Sequence, residues 1–139
     1  MLIRSKLLVL TASVVMPFQA VLAEEAKKAH PSTHPEVRLA SWWFARHAEK
    51  IAEIEKANDP KVDKKIELLM VGDSITNNFD KDGPGEPVWE KHFAPLNALN
   101  LGFGGDRTNH VLWRLEHLPK LSESPTAASL MIGTNNICW

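Results

Sequence analysis

The sequence predicts an α/β fold with a short parallel sheet. Three observations carry that expectation. Three short apolar runs, 66–71, 98–101 and 127–132, have strand length, and glycines close them at Gly72, Gly102 and Gly133. The segments between them carry helical patterning, which favours parallel strands joined by right-handed crossovers. The 139 residues, 44% hydrophobic and 24% charged, have the composition of one ordinary globular domain.

Taken in order, residues 1–23 read as a secretory signal. Arg4 and Lys6 form a positive start, and Leu7 to Phe18 is an apolar run too short to span a bilayer. Val21-Leu22-Ala23 then offers a small-residue cleavage site after Ala23. The expectation is a secreted or periplasmic protein with no stable membrane anchor once the signal is cleaved. Residues 24–38 are polar and read as a linker. Pro31 and Pro35 deny His30 and His34 the helix on which their spacing could bind a metal.

The domain is expected over residues 39–139. Leu39 to Asn58 has a helical pattern, with apolar residues at Trp43, Ala48, Ile51, Ile54 and Ala57, and Asn58-Asp59-Pro60 ends it. Trp42, Trp43 and Phe44 read as packing aromatics and His47 as a helix-surface residue. Ile66 to Val71 is the first strand, and Ser74 to Phe79 opens a helix. Lys81 to Pro87 is a loop, followed by a helix over Val88 to Phe93. Ala98 to Leu101 is the second strand. Thr108 then caps a helix running through Leu118, whose apolar face is Val111, Leu112, Leu115 and Leu118. Ala127 to Ile132 is the third strand.

Charge and cysteine content narrow the function. Sixteen basic residues against seventeen acidic ones leave a net charge of −1 and no basic surplus for a nucleic-acid backbone. A single cysteine, Cys138, excludes an internal disulfide and a cysteine-based zinc cage.

Parallel sheets bind ligands beyond the C-terminal ends of their strands. Gly72-Asp73-Ser74, Gly102 to Asp106 and Gly133 to Asn136 each follow a strand as a polar cluster marked by glycine. A serine where a strand turns into a helix can project its hydroxyl, and its own N–H lies at a helix start; helix capping is the ordinary alternative. Gly104-Gly105 allows close backbone approach and a second N–H donor, or forms a simple turn. Asn135 and Asn136 offer side-chain amides, or a cap.

The three clusters together resemble the SGNH, or GDSL-type, serine hydrolase family. Val71-Gly72-Asp73-Ser74-Ile75-Thr76 is similar to its first block, Asn100-Leu101-Gly102-Phe103-Gly104-Gly105-Asp106 to its second, and Gly133-Thr134-Asn135-Asn136 to its third. Gly104 to Leu115 and Ile132 to Asn136 carry a finer resemblance to the platelet-activating-factor acetylhydrolase-like branch. The resemblance spans about residues 41–136. It implies a flavodoxin-like, three-layer α/β/α fold in which the first strand lies between the other two. It implies Ser74 as nucleophile on an acyl ester, with the Ser74 N–H, the Gly105 N–H and the Asn135 side chain as oxyanion hole. Asp73 is then a structural acid. No metal or organic cofactor is implied, and the substrate is a small-molecule, glycan or lipid acyl ester, with acetyl the expected acyl group.

The family's fourth signature, an Asp-x-x-His block that supplies the general base and triad acid, has no counterpart in this chain, which ends at Trp139. Asp106 and His110 have a tempting spacing but belong to the second block, and His110, His92 and His117 read as helix-surface residues. The expectation is the N-terminal part of a hydrolase domain, impaired as this chain. The alternatives are a non-catalytic remnant that binds ligands at the same strand ends, or an interaction fragment that uses its third strand.

Overall fold

A computed structural model describes residues 30–79 and 83–137. The signal reading over 1–23 and Cys138 lie outside the described residues. The elements are α1 (Ser41–Asn58), β1 (Leu68–Gly72), α2 (Ser74–Asn77), α3 (Glu86–His92), β2 (Ala98–Gly102), α4 (Thr108–Glu116), β3 (Ala127–Met131) and α5 (Thr134–Ile137). Short 3-10 turns occupy Pro31–Thr33 and Ala94–Leu96.

The strands form one parallel sheet in the order β2-β1-β3. Gly72 at the end of β1 stands opposite Gly102 on β2 and Met131 on β3, so the three strand ends are level. The order is the expected one. The chain leaves β1 to one side, then crosses back to the other, which opens a crevice at the end of the central strand.

Alternation along the strands assigns the two faces. Leu69, Val71, Leu99 and Leu101 meet Ile54 of α1 and Val111 of α4 in the main apolar core. Gly72, Asn100 and Gly102 face the opposite way, toward α2: the Asn100 amide donates to the Thr76 carbonyl at 2.9 Å. Helices therefore cover both faces, as a three-layer fold requires. A Cβ added at Gly102 would stand 2.6 Å from the Thr76 carbonyl carbon, so only glycine lets α2 sit this close.

Several element details differ from expectation. Helix α3 starts at Glu86, two residues early, because Pro87 falls in the first turn, where its missing N–H breaks no helical bond. The buried stripe of α1 is Trp43, His47, Lys50 and Ile54, not the purely apolar set, and His47 is a core residue. It stacks on Trp43 and lies against Trp113. On α4 the buried residues are Asn109, His110, Val111 and Arg114, whereas Leu112 and Leu115 are exposed. The helix is rotated to send Arg114 beneath the sheet ends, and His110 is likewise buried. Every residue of β3 is exposed, Leu130 by 67%.

Residues 30–38 are bound to the domain. Glu36 N–H donates to the Asn109 carbonyl at 3.1 Å, the Asn109 amide donates to Glu36 Oε2 at 2.5 Å, and the Thr108 hydroxyl donates to the Ser32 carbonyl at 2.8 Å. Among the described residues no helix is long and apolar enough to cross a membrane.

Candidate active site

Ser74 is the first residue of α2, immediately beyond the central strand. The capping role belongs to its neighbour: Asp73, 1% exposed, accepts the Ile75 N–H on Oδ1 at 3.0 Å. This satisfies an otherwise open helix donor without using the Ser74 hydroxyl, which hydrogen-bonds to none of the described residues. No described residue accepts a hydrogen bond from the Ser74 N–H or from the Gly105 N–H. Gly105 adopts φ +70°, a left-handed conformation in which glycine is unstrained, and it is exposed.

The two asparagines after β3 have separate tasks. Asn136 Oδ1 accepts the Thr108 N–H at 3.2 Å, and its amide donates to the Thr108 hydroxyl at 3.1 Å, which ties α5 to the start of α4. The Asn135 amide instead donates to the Asp106 carbonyl at 2.8 Å and reaches Asp73 Oδ2 at 3.4 Å. Through this one side chain the ends of all three strands meet: Asp73 beside Ser74, Asp106 beside Gly105, and Asn135.

Beneath the site lies a buried ion pair that sequence reading did not single out. Asp106 and Arg114, both with side chains 0% exposed, join at 2.8 Å. The other Asp106 oxygen accepts Trp43 Nε1–H at 2.8 Å. Arg114 also donates to the Leu101 carbonyl at 3.2 Å and the Gly72 carbonyl at 3.4 Å, and its guanidinium lies 3.8 Å from the Phe103 ring centre. One guanidinium thus holds the exits of β1 and β2 together. Burial lowers its pKa, and the Asp106 carboxylate opposes that shift. The available signal was an acid two residues before the start of a helix and an arginine within that helix.

All six histidines are described, and none hydrogen-bonds to Ser74. His30 and His34 lie in the exposed N-terminal segment, and His92 and His117 are exposed. His110 Nδ1 accepts the Arg107 N–H at 3.1 Å, which assigns its proton to Nε2. Burial lowers its pKa, against the pull of Asp106 and Glu36. Its 3.8 Å approach to Asp106 therefore joins a neutral ring to a carboxylate already occupied by Trp43 and Arg114. No group of three or more metal-binding side chains occurs among the described residues.

A parallel sheet with a serine at its switch point and glycine and asparagine clusters at the flanking strand ends is the architecture of GDSL-type hydrolases. The chain belongs to the GDSL-like lipase/acylhydrolase family, whose model matches residues 70–139. It is similar to platelet-activating factor acetylhydrolase IB subunit alpha1 of Homo sapiens, with 33% identity over 113 residues, 81% of this chain and 44% of that protein. It is similar also to the alpha2 subunit of Rattus norvegicus, with 32% identity over 108 residues, 78% of this chain and 42% of that protein. The chain thus spans less than half the length of these curated relatives.

Proposed function

We propose that this hydrolase acts on small acyl esters, with Ser74 as nucleophile. The observation that carries the reading is the Asn135 amide bridging Asp106 and Asp73, which gathers the three strand ends around Ser74. The Ser74 Oγ attacks the ester carbonyl, and the Ser74 N–H, the Gly105 N–H and the Asn135 amide receive the developing oxyanion. Collapse releases the alcohol and leaves acyl-Ser74, which water then hydrolyses. The long Asn135–Asp73 contact is the one an oxyanion displaces. The names of the relatives favour acetyl as the acyl group, and the alcohol belongs to a carbohydrate or lipid. The sequence of residues 1–23 favours export.

A serine hydroxyl needs a positioned base to be a strong nucleophile. With no histidine at Ser74, the 139-residue chain hydrolyses 4-nitrophenyl acetate barely above background. Continuing the chain with the C-terminal remainder of a relative restores turnover, and Ser74→Ala abolishes it. A fluorophosphonate tests the nucleophile directly in that continued chain. Selective labelling of Ser74 supports the reading, whereas labelling spread over other residues, unchanged in Ser74→Ala, rejects it. The exposed edge of β3, with the uncovered apolar groove formed by Leu112, Leu115, Leu130 and Ile132, favours a second reading, a fragment that pairs with another chain.

A further inference from the structure

The Gly104–Gly105 peptide has no side chain of its own to brace it. A Cβ at Gly104 would meet nothing within 4 Å, and Gly105 has φ +70°. Rotation of such a peptide plane is sterically cheap, and half a turn would reverse its N–H. The plane is held from outside. Arg38 Nη1 donates to the Gly104 carbonyl at 2.7 Å, and the Arg38 guanidinium lies 3.1 Å from where a Gly105 Cβ would be.

The peptide is trans, so the carbonyl of Gly104 and the N–H of Gly105 point in opposite directions. A cation holding the oxygen therefore aims the hydrogen and draws electron density from it. Arg38 approaches Asp106 only at 3.7 Å, and both oxygens of that acid already hold closer partners. The 2.7 Å bond to Gly104 is the closer of the two. Arg38 is itself braced. Its guanidinium lies 5.0 Å from the Trp42 ring centre, and the segment before it is tied to Asn109 through Glu36. Arg46 similarly holds the Gly102 carbonyl at 2.7 Å.

We propose that Arg38 is a positioning residue that fixes the Gly105 N–H in the direction an oxyanion donor needs. The proposal rests on the reading of Gly105 as such a donor. Arg38 touches no substrate. Its contribution is made through the peptide it grips, so it affects the rate of acyl transfer and leaves substrate binding nearly unchanged.

The test uses the 139-residue chain with Arg38→Met, which keeps bulk but loses the donors, and Arg38→Lys, which keeps a cation. Nuclear spin relaxation gives the order parameter of the Gly105 N–H, with the Leu101 N–H inside β2 as reference. The expected values are about 0.85 for both in the parent, and below about 0.6 for Gly105 alone in Arg38→Met, recovering in Arg38→Lys. In the chain continued with the C-terminal remainder of a relative, fluorophosphonate labelling of Ser74 should slow by about 10-fold at saturating reagent in Arg38→Met, with half-saturation within about 2-fold, since a loosened donor loses part of the value of a deleted one. An Arg38→Met chain whose Gly105 order matches the parent overturns the proposal and leaves the site reading standing. If Ser74→Ala and Asn135→Ala leave labelling unchanged, the site reading fails, and the role of Arg38 fails with it.

Discussion

Replacing Asp106 by Asn keeps the shape of the side chain and removes a charge from the most buried polar cluster in the fold. In the parent, one carboxylate oxygen accepts Trp43 Nε1–H and the other accepts Arg114 Nε–H, each at 2.8 Å. An amide has only one acceptor oxygen, so its NH2 group must face one of these two donors. Arg114 is 0% exposed and loses its only close anion among the described residues, which typically costs about 3–5 kcal/mol. Its bonds to the Leu101 and Gly72 carbonyls and its contact with Phe103 soften the loss, so the lower end, about 3 kcal/mol, is expected. A domain of this size has a total stability of roughly 5–15 kcal/mol, so the change is a large fraction of it. Urea unfolding followed by tryptophan fluorescence measures it. At an m-value of about 1.5 kcal/mol/M the midpoint should fall by on the order of 2 M. Adding Arg114→Met should cost less than the sum of the single changes, because it removes the unpaired charge. A midpoint shift under about 0.5 M would refute the view that this pair fastens the strand ends.

Other expected outcomes follow from the same geometry. Gly102→Ala drives a methyl against the backbone of α2 at Thr76, and calorimetry should show destabilisation of about 1–3 kcal/mol together with slower labelling of Ser74. Burial depresses the pKa of both His47 and His110 below 6.5, so the unfolded chain takes up protons before the folded one does. Stability should therefore be full above pH 6.5 and fall as pH drops from there through the folded-state values; melting temperatures across that window should show a shallower slope in His47→Gln. Asn136→Ala should loosen the junction of α5 with α4 and lower the melting temperature, because it removes both bonds to Thr108.

The sheet was legible because each strand is a short apolar run ended by a glycine, and parallel order follows from helices between strands. The site clusters were legible for the same reason, since each follows a strand end. What the pattern hid was polar. His47 and Lys50 occupy core positions of α1 that an apolar template skips, and they shift the buried stripe away from Ala48 and Ile51. Leu112 and Leu115 read as part of the apolar face of α4, yet the buried guanidinium of Arg114 between them goes with a rotation of the helix that exposes both. The segment 30–38 read as part of a linker because it is polar and broken by two prolines. Its attachment depends on backbone groups and on Glu36 and Arg38 meeting residues more than sixty positions away, which no local pattern encodes.

The central claim, that Ser74 is an acyl acceptor served by donors from all three strand ends, is tested most directly by mapping acetylation of the chain, continued with the C-terminal remainder of a relative, after brief exposure to 4-nitrophenyl acetate. Peptide mass spectrometry of the folded chain should find one acetyl group on the peptide bearing Ser74. That signal should be absent in Ser74→Ala and should form about 10²–10³ times more slowly in Asn135→Ala, the usual cost of one lost oxyanion donor. Acetyl groups confined to lysines, or acetyl-Ser74 forming equally fast in Asn135→Ala, would contradict the account.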